Sequence, residues 1–79
     1  MADQSSTNAT VYWDAGELGC GQLIVGLKRR VSELAPGSIL EVTARAPGAR
    51  IDIFVWCRMT GHRLLSEAHP IYRIQRSDA

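Results

Sequence analysis

Long apolar segments are missing from this 79-residue sequence, and so is a strong charge of either sign. A membrane-spanning helix needs about 18 or more consecutive apolar residues, and no stretch approaches that length. The start, MADQSSTN, has neither the basic residues nor the apolar segment of a secretion signal. The formal net charge is only +1, which disfavours nucleic acid and anionic membranes as partners. These absences predict a cytoplasmic protein that neither spans a membrane nor binds nucleic acid directly.

Cysteine is scarce as well, because the sequence contains only two. They could form one disulfide bond in an oxidising compartment, but a reducing cytoplasm predicts two free thiols. A zinc site would have to use Cys20, Cys57, His62 and His69, whose spacing matches no recognised set of zinc ligands. We therefore expect neither a metal nor a cofactor.

Hydrophobic residues make up 46% of the sequence, which suits one small globular domain. A chain of this length buries only about 60% of its unfolded surface, so its core must be thin. We expect a monomeric domain over residues 10–76, with flexible polar tails at 1–9 and 77–79.

The hydrophobic pattern predicts six secondary-structure elements. Apolar residues recur at three- and four-residue steps after Cys20, which is typical of an amphipathic helix. Asp52 is the predicted N-cap of a second helix, and Gly61 is its predicted end. The elements are a strand at 10–13, a helix from Cys20 that ends before 35–37, a strand at 38–45, a helix from Asp52 to Gly61, and strands at 63–67 and 71–76.

The order β-α-β-α-β-β predicts an α+β fold of two layers. A mixed four-stranded sheet would carry both helices on one face. The first helix would form a right-handed crossover between parallel strands, and the last two strands would pair as an antiparallel hairpin.

Cys20 is the first candidate for chemistry because a glycine stands on each side of it where the first helix begins. Gly19 and Gly21 leave the sulfur uncovered, and the backbone N–H groups of Gly21 and Gln22 lie near it. The thiolate is the reactive form of cysteine, and it is favoured by unpaired N–H groups and by the positive end of the helix dipole. This position therefore favours a reactive thiol.

Other interpretations of the two cysteines stay open. Asp14 and Glu17 oppose ionisation of Cys20, so a strongly acidic thiol is not expected, and an inert cysteine that caps the helix is the alternative. Cys57 falls within the second helix, where a buried thiol packs as a small apolar side chain. Its functional alternative is a resolving thiol that attacks an oxidised Cys20, which requires the two side chains to approach each other.

Basic side chains form a second group of candidates, for docking of a partner. They are Lys28 and Arg29 on the first helix, and Arg58, His62 and Arg63 at the end of the second. If these residues converge, they could bind an acidic partner. Simple solvation is the alternative for the helix cations, and a hydrogen-bonded imidazole at a strand entrance is the alternative for the histidine.

A longer pattern runs through residues 13–76 without a gap. It consists of Asp14, Leu18 and Cys20, followed by Pro36-Gly37, Pro47, Asp52-Ile53, Cys57 and Gly61-His62. In order and spacing this pattern resembles the TusA/SirA-like sulfur-carrier (sulfurtransferase) family. The family has C-P-x-P at the helix entrance where this sequence has CGQL, residues 20–23, which makes the chain a divergent member.

The resemblance implies that Cys20 accepts sulfane sulfur as a persulfide and passes it to an acceptor protein, without turnover of its own. The implied donor is a cysteine desulfurase or a rhodanese-like protein. Routes served by the family include tRNA thiolation, molybdenum-cofactor assembly and sulfur oxidation. The alternative is a non-catalytic interaction or regulatory module on the same scaffold, with Cys20 as a structural helix cap.

Overall fold

The computed structural model describes residues 9–77, so the predicted tails at 1–9 and 77–79 lie outside the described residues except for residues 9 and 77. The elements are β1 (Thr10–Gly16), α1 (Cys20–Ser32), β2 (Ile39–Ala44), α2 (Ala49–Thr60), β3 (Arg63–Ala68) and β4 (Ile71–Gln75). The sheet order is β1-β2-β4-β3, with β1 parallel to β2 and the other two pairs antiparallel. The predicted α+β fold and element order are confirmed.

The core lies between the two helices and one face of the sheet. Along β2, Leu40, Val42 and Ala44 are buried, while the residues between them are only half-buried. The other core residues are Leu23, Leu27 and Val31 of α1, Ala49, Ile53, Trp56 and Cys57 of α2, and Tyr72 and Ile74 of β4, together with Ala15 and Leu34. Full burial of one large aliphatic side chain contributes about 1.5–3 kcal/mol, so these residues fix the helices on the sheet.

The first strand is longer than predicted. It continues through Asp14 to Gly16, because the parallel pairing with β2 extends past an irregularity as far as Ala44. The Asp14 carboxylate accepts a hydrogen bond from the Gly16 N–H at 2.8 Å and pairs with Arg45 at 3.0 Å. These contacts keep the strand in register where its sequence no longer looks like a strand.

The second helix starts earlier than predicted. Its N-cap is Gly48, and the Asp52 N–H donates to the Gly48 carbonyl at 3.0 Å, so Asp52 lies in the first turn. The prediction of Asp52 as the N-cap is therefore wrong. The predicted end is correct: Gly61 has φ +86°, a left-handed conformation that suits glycine, and its N–H donates to the Cys57 carbonyl at 2.9 Å.

Helix α1 approaches β1 closely at Gly26. A Cβ atom there would lie 2.3 Å from Cη2 of Trp13, so the indole occupies the space that any larger residue needs. The guanidinium of Arg30 covers the same ring, 4.1 Å from its centroid. This contact fixes the helix that carries Cys20 against the edge strand.

Within residues 9–77, no helix has the length and apolar character needed to cross a membrane.

Candidate functional site

Cys20 is the first residue of α1, and its side chain is exposed. The N-cap is Gly19, with extended backbone (φ −80°, ψ −178°), and its carbonyl accepts a hydrogen bond from the Leu23 N–H at 2.7 Å. Within the described residues no side chain caps this helix end. The expected exposed thiol at a helix entrance is therefore observed, whereas the alternative in which Cys20 itself caps the helix is wrong.

A groove between the two helices holds this thiol. It has a volume of about 240 Å³. Its lining residues are Cys20, Ile24, Asp52, Val55, Trp56 and Met59. We call it the thiol groove. Its walls are apolar apart from the thiol and one carboxylate, and Met59 at its rim is 79% exposed. Another molecule can therefore reach Cys20 along an open, mostly apolar surface.

Asp52 faces Cys20 across this groove and opposes ionisation of the thiol. The Asp52 carboxylate, as a hydrogen-bond acceptor for the protonated thiol and through its negative charge, raises the pKa of Cys20 above its ordinary value, and desolvation adds to the shift. The sequence had indicated that the helix N-terminus favours the thiolate. In the structure the pKa of Cys20 is raised instead of lowered, because the Asp52 carboxylate of the neighbouring helix lines the same groove as the sulfur. The sequence does not reveal this proximity.

The two acids that precede Cys20 do not replace Asp52 in this role. Asp14 is bound by Arg45, and the Gly16 N–H and this guanidinium lower the pKa of its carboxyl group. Neither Asp14 nor Glu17 lines the thiol groove. The opposition to ionisation that was expected from Asp14 and Glu17 therefore comes from Asp52.

The predicted supporting residues lie on different sides of the helix entrance. Gly19 caps the helix, and space is open beside both Gly19 and Gly21. Gly21 and Gln22 line a second, wider groove of about 660 Å³, which also contains Trp13 and Arg29. They flank Cys20 without lining the thiol groove.

The basic residues predicted for docking do not form one patch. Lys28 is exposed and shares the helix face of Ile24, one turn earlier, whereas Arg29 lines the second groove. Arg58 and His62 line a separate cavity of about 120 Å³ near the end of α2. Arg63 is exposed where β3 begins.

His62 lies at the entrance of β3 with its imidazole hydrogen-bonded. The Ser77 N–H donates to His62 Nδ1 at 3.0 Å, and the imidazole lies 5.3 Å from the Trp56 ring, centroid to centroid. Burial, followed by the positive charge of Arg76, lowers the pKa of His62. A neutral imidazole is therefore favoured here.

Cys57 is buried away from the thiol groove. Its side chain is 4% exposed and lines the small cavity that contains Phe54 and Leu64, and burial raises its pKa to about 11. Among the described residues both cysteines are free thiols, and no group of three or more His, Cys, Asp and Glu side chains could hold a metal ion. The structure does not bring Cys57 and Cys20 into one cavity.

Of the six residues that line the thiol groove, sequence reasoning assigned only Cys20 to the site; it missed Ile24, Asp52, Val55, Trp56 and Met59. The apolar run through α2 is longer than one buried face requires, and Val55 and Met59 are 43% and 79% exposed. That excess was the available signal. The position of Asp52 opposite Cys20 had none, because it depends on how two distant helices pack.

The fold and this site define a class: small α+β proteins in which an exposed cysteine opens a helix beside an apolar groove. The chain belongs to the family described as Sulfurtransferase TusA, whose pattern matches residues 12–75. The resemblance noted in the sequence is thereby confirmed.

Individual relatives agree with this assignment. The sulfur carrier protein TusA of Pseudomonas aeruginosa (strain PAO1) is 39% identical over 54 residues, which cover 68% of each protein. YrkI of Bacillus subtilis is 43% identical over 54 residues, covering 68% of this chain and 72% of YrkI. YrkF of the same organism is 39% identical over 57 residues, covering 72% of this chain but only 31% of YrkF.

Proposed function

We propose that this chain is a small sulfur carrier that holds sulfane sulfur as a persulfide on Cys20. The observation that carries the proposal is the exposed Cys20 sulfur at the start of α1, on an open groove rather than in a deep pocket. A carrier has to offer its sulfur to two other proteins in turn, so an uncovered sulfur suits the task. Membership of the TusA family supports the same role.

Loading would proceed by exchange between two sulfur atoms. The Cys20 thiolate attacks the outer sulfur of the donor's persulfide, forming a new S–S bond. The donor's own S–S bond breaks, and its electron pair leaves on the donor cysteine as a thiolate, which takes up a proton. Unloading repeats this step with the acceptor's thiolate as the nucleophile, so no external oxidant or reductant is needed.

The partners in this proposal are proteins. A cysteine desulfurase or a rhodanese-like protein supplies the sulfur, an acceptor protein removes it, and the carrier has no turnover of its own. The carrier acts as a monomeric domain over residues 10–76 in the cytoplasm. The open geometry around Cys20 supports protein partners, because glycines on both sides leave room for another backbone to approach.

The test is to load sulfur and then measure the intact mass. We expect incubation with a cysteine desulfurase and cysteine, or with a rhodanese and its sulfur substrate, to add one sulfur atom per chain. Cys20→Ser should stay unmodified, whereas Cys57→Ala, the matched control, should load like the unchanged protein. Failure to load from donors of both kinds would favour a non-catalytic interaction module, and loading on Cys57 would refute the assignment of Cys20.

A further inference from the structure

The thiol groove combines one acidic side chain with apolar walls, and this combination indicates what kind of partner docks there. Asp52 is the single charged side chain among the lining residues, and the walls beside it are Ile24, Val55 and Met59. Three ion pairs form within residues 9–77, and none of them includes Asp52. Asp52 is half-buried and has no ion-pair partner among the described residues, and the apolar side chains of Val55 and Met59 beside it are exposed. Such a site is complementary to a cation flanked by apolar groups.

We propose that Asp52 selects a segment of the sulfur donor that carries an arginine or lysine beside apolar side chains, and that pairing with this cation releases the Cys20 thiol for attack. This inference rests on the proposed carrier function. The occupant is assigned to the donor because Cys20 is the nucleophile only in the loading step. During unloading the attacking thiolate belongs to the acceptor, and an ionised Cys20 is then the product.

The pairing would act on the sulfur in two ways. In the resting protein the Asp52 carboxylate stabilises the protonated thiol, so Cys20 is protected from unselective reactions. A cation bound to Asp52 offsets the carboxylate's charge and also attracts the thiolate directly. The apolar walls strengthen both effects, because docking removes water from the groove and lowers the local dielectric constant. Donor docking and thiol activation therefore become one event.

The experiment uses two short peptides that each carry a cysteine activated as a mixed disulfide with thiopyridine. Both have leucine on one side of the cysteine, and they differ only in having arginine or glutamate on the other side. Reaction with the folded protein at neutral pH is followed by release of thiopyridone. A Cys57→Ala background restricts the reaction to Cys20.

We expect the arginine peptide to react about tenfold faster than the glutamate peptide, as two opposite charges a few ångströms apart would produce. Asp52→Asn should bring this ratio close to one. Glu17→Gln is the matched control, because it removes a carboxylate near Cys20 in sequence that does not line the groove, and it should leave the ratio unchanged. Asp52→Ser provides a second variant if Asp52→Asn fails to fold, as judged by circular dichroism.

Alkylation by neutral iodoacetamide measures the ionisation of Cys20, which would not change if Asp52 had only a packing role. Its rate at Cys20 should reach half-maximum at a lower pH in Asp52→Asn than in the unchanged protein, and Glu17→Gln should show no shift. Equal rates for the two peptides in the unchanged protein would overturn the inference, as would an arginine preference that survives Asp52→Asn. Absence of sulfur loading would refute the carrier function instead, and the peptide preference does not depend on that result.

Discussion

At the scale of single residues, the two cysteines show how surroundings assign different roles to the same side chain. Cys20 is exposed, and the nearby Asp52 carboxylate raises the pKa of its thiol. Cys57 is also held as a thiol, but by burial alone. In the mechanism that we propose, a partner cation at Asp52 removes the first constraint, whereas only unfolding removes the second. Reversible control of reactivity is therefore available at Cys20 and not at Cys57.

The buried thiol predicts a loss of stability in alkali. Burial raises the pKa of Cys57 from the ordinary 9.0 to about 11, so the folded protein holds this proton more tightly than the unfolded chain does. The resulting stabilisation is complete below pH 9 and is lost as the pH rises to about 11. Two pH units correspond to about 2.7 kcal/mol, so we expect a loss of about 2–3 kcal/mol in the free energy of unfolding.

Denaturant unfolding at a series of pH values from neutral to alkaline checks this prediction. Cys57→Ala should be less stable at neutral pH because it leaves a small cavity, but its stability should fall less between pH 9 and 11. Cys20→Ser is the comparison variant: because the pKa of Cys20 is also raised, this variant should lose a smaller part of the decline and keep the larger part that Cys57 causes. Tyr72, whose pKa is also raised, is present in every variant and cancels in the comparison. Parallel curves for the unchanged protein and Cys57→Ala would contradict the prediction.

At the scale of elements, the sequence predicted α1 better than α2, for a physical reason. The start of α1 at Cys20 follows from local features, namely the flanking glycines and the apolar periodicity. The start of α2 depends on distant contacts, because Ala49 is fully buried in the core and Arg50 pairs with Glu67 of β3 at 2.8 Å. These contacts extend the helix one turn before Asp52.

That extra turn also explains why half of the candidate site was invisible in the sequence. A cap at Asp52 would have directed its carboxylate to the N–H groups of its own helix. Within the first turn it faces Cys20 of the other helix instead. The thiol could be identified from its neighbours in the sequence, whereas the group that controls its ionisation required the packing of two helices.

The close approach of α1 to β1 predicts a specific effect of Gly26→Ala. The new Cβ atom would lie 2.3 Å from Cη2 of Trp13, so the indole must shift and its stacking against Arg30 must loosen. Overpacking of this kind costs about 1–3 kcal/mol, more than the roughly 1 kcal/mol that alanine gains over glycine within a helix. We expect net destabilisation and an altered tryptophan emission spectrum.

Gly21→Ala supplies the control on the same helix. Space around Gly21 is open, so only the gain in helix propensity remains, and the variant should be more stable by about 0.5–1 kcal/mol. Thermal denaturation and fluorescence compare the two variants, and a Trp13→Phe background assigns the spectral change to that ring. The packing argument fails if both variants are stabilised equally.

At the scale of the whole molecule, the end of the last strand holds several distant segments together. The guanidinium of Arg76 donates to the carbonyls of Ser32, at 3.1 Å, and Leu34 at the end of α1. Its backbone N–H donates to the Ser38 carbonyl at 2.9 Å, and its carbonyl accepts from Gly37 at 3.0 Å. One residue therefore fixes where α1 ends and where β2 begins, which in turn sets the position of α1 over the sheet.

This arrangement predicts that Arg76→Ala changes both the stability of the protein and the pKa of His62. Loss of charge-assisted hydrogen bonds to the end of α1 should lower the free energy of unfolding by about 1–3 kcal/mol. The pKa of His62 should rise towards its ordinary value while staying below it, since burial is the larger cause of its depression and Arg76 the smaller. Nuclear magnetic resonance titration of His62 and denaturant unfolding measure the two effects.

His62 and Arg76 also determine how the stability of the protein changes when the pH is lowered. Because the folded-state pKa of His62 is lowered, its contribution to stability is present above the ordinary value of 6.5 and is lost as the pH falls through the folded value. Arg76→Ala should therefore lose less stability on acidification than the unchanged protein does. Arg63→Ala removes an exposed cation next to His62 in sequence, and it should change stability by no more than about 0.5 kcal/mol. If Arg63→Ala shifts the His62 titration as much as Arg76→Ala does, the assignment of the smaller part of the His62 pKa depression to Arg76 is refuted.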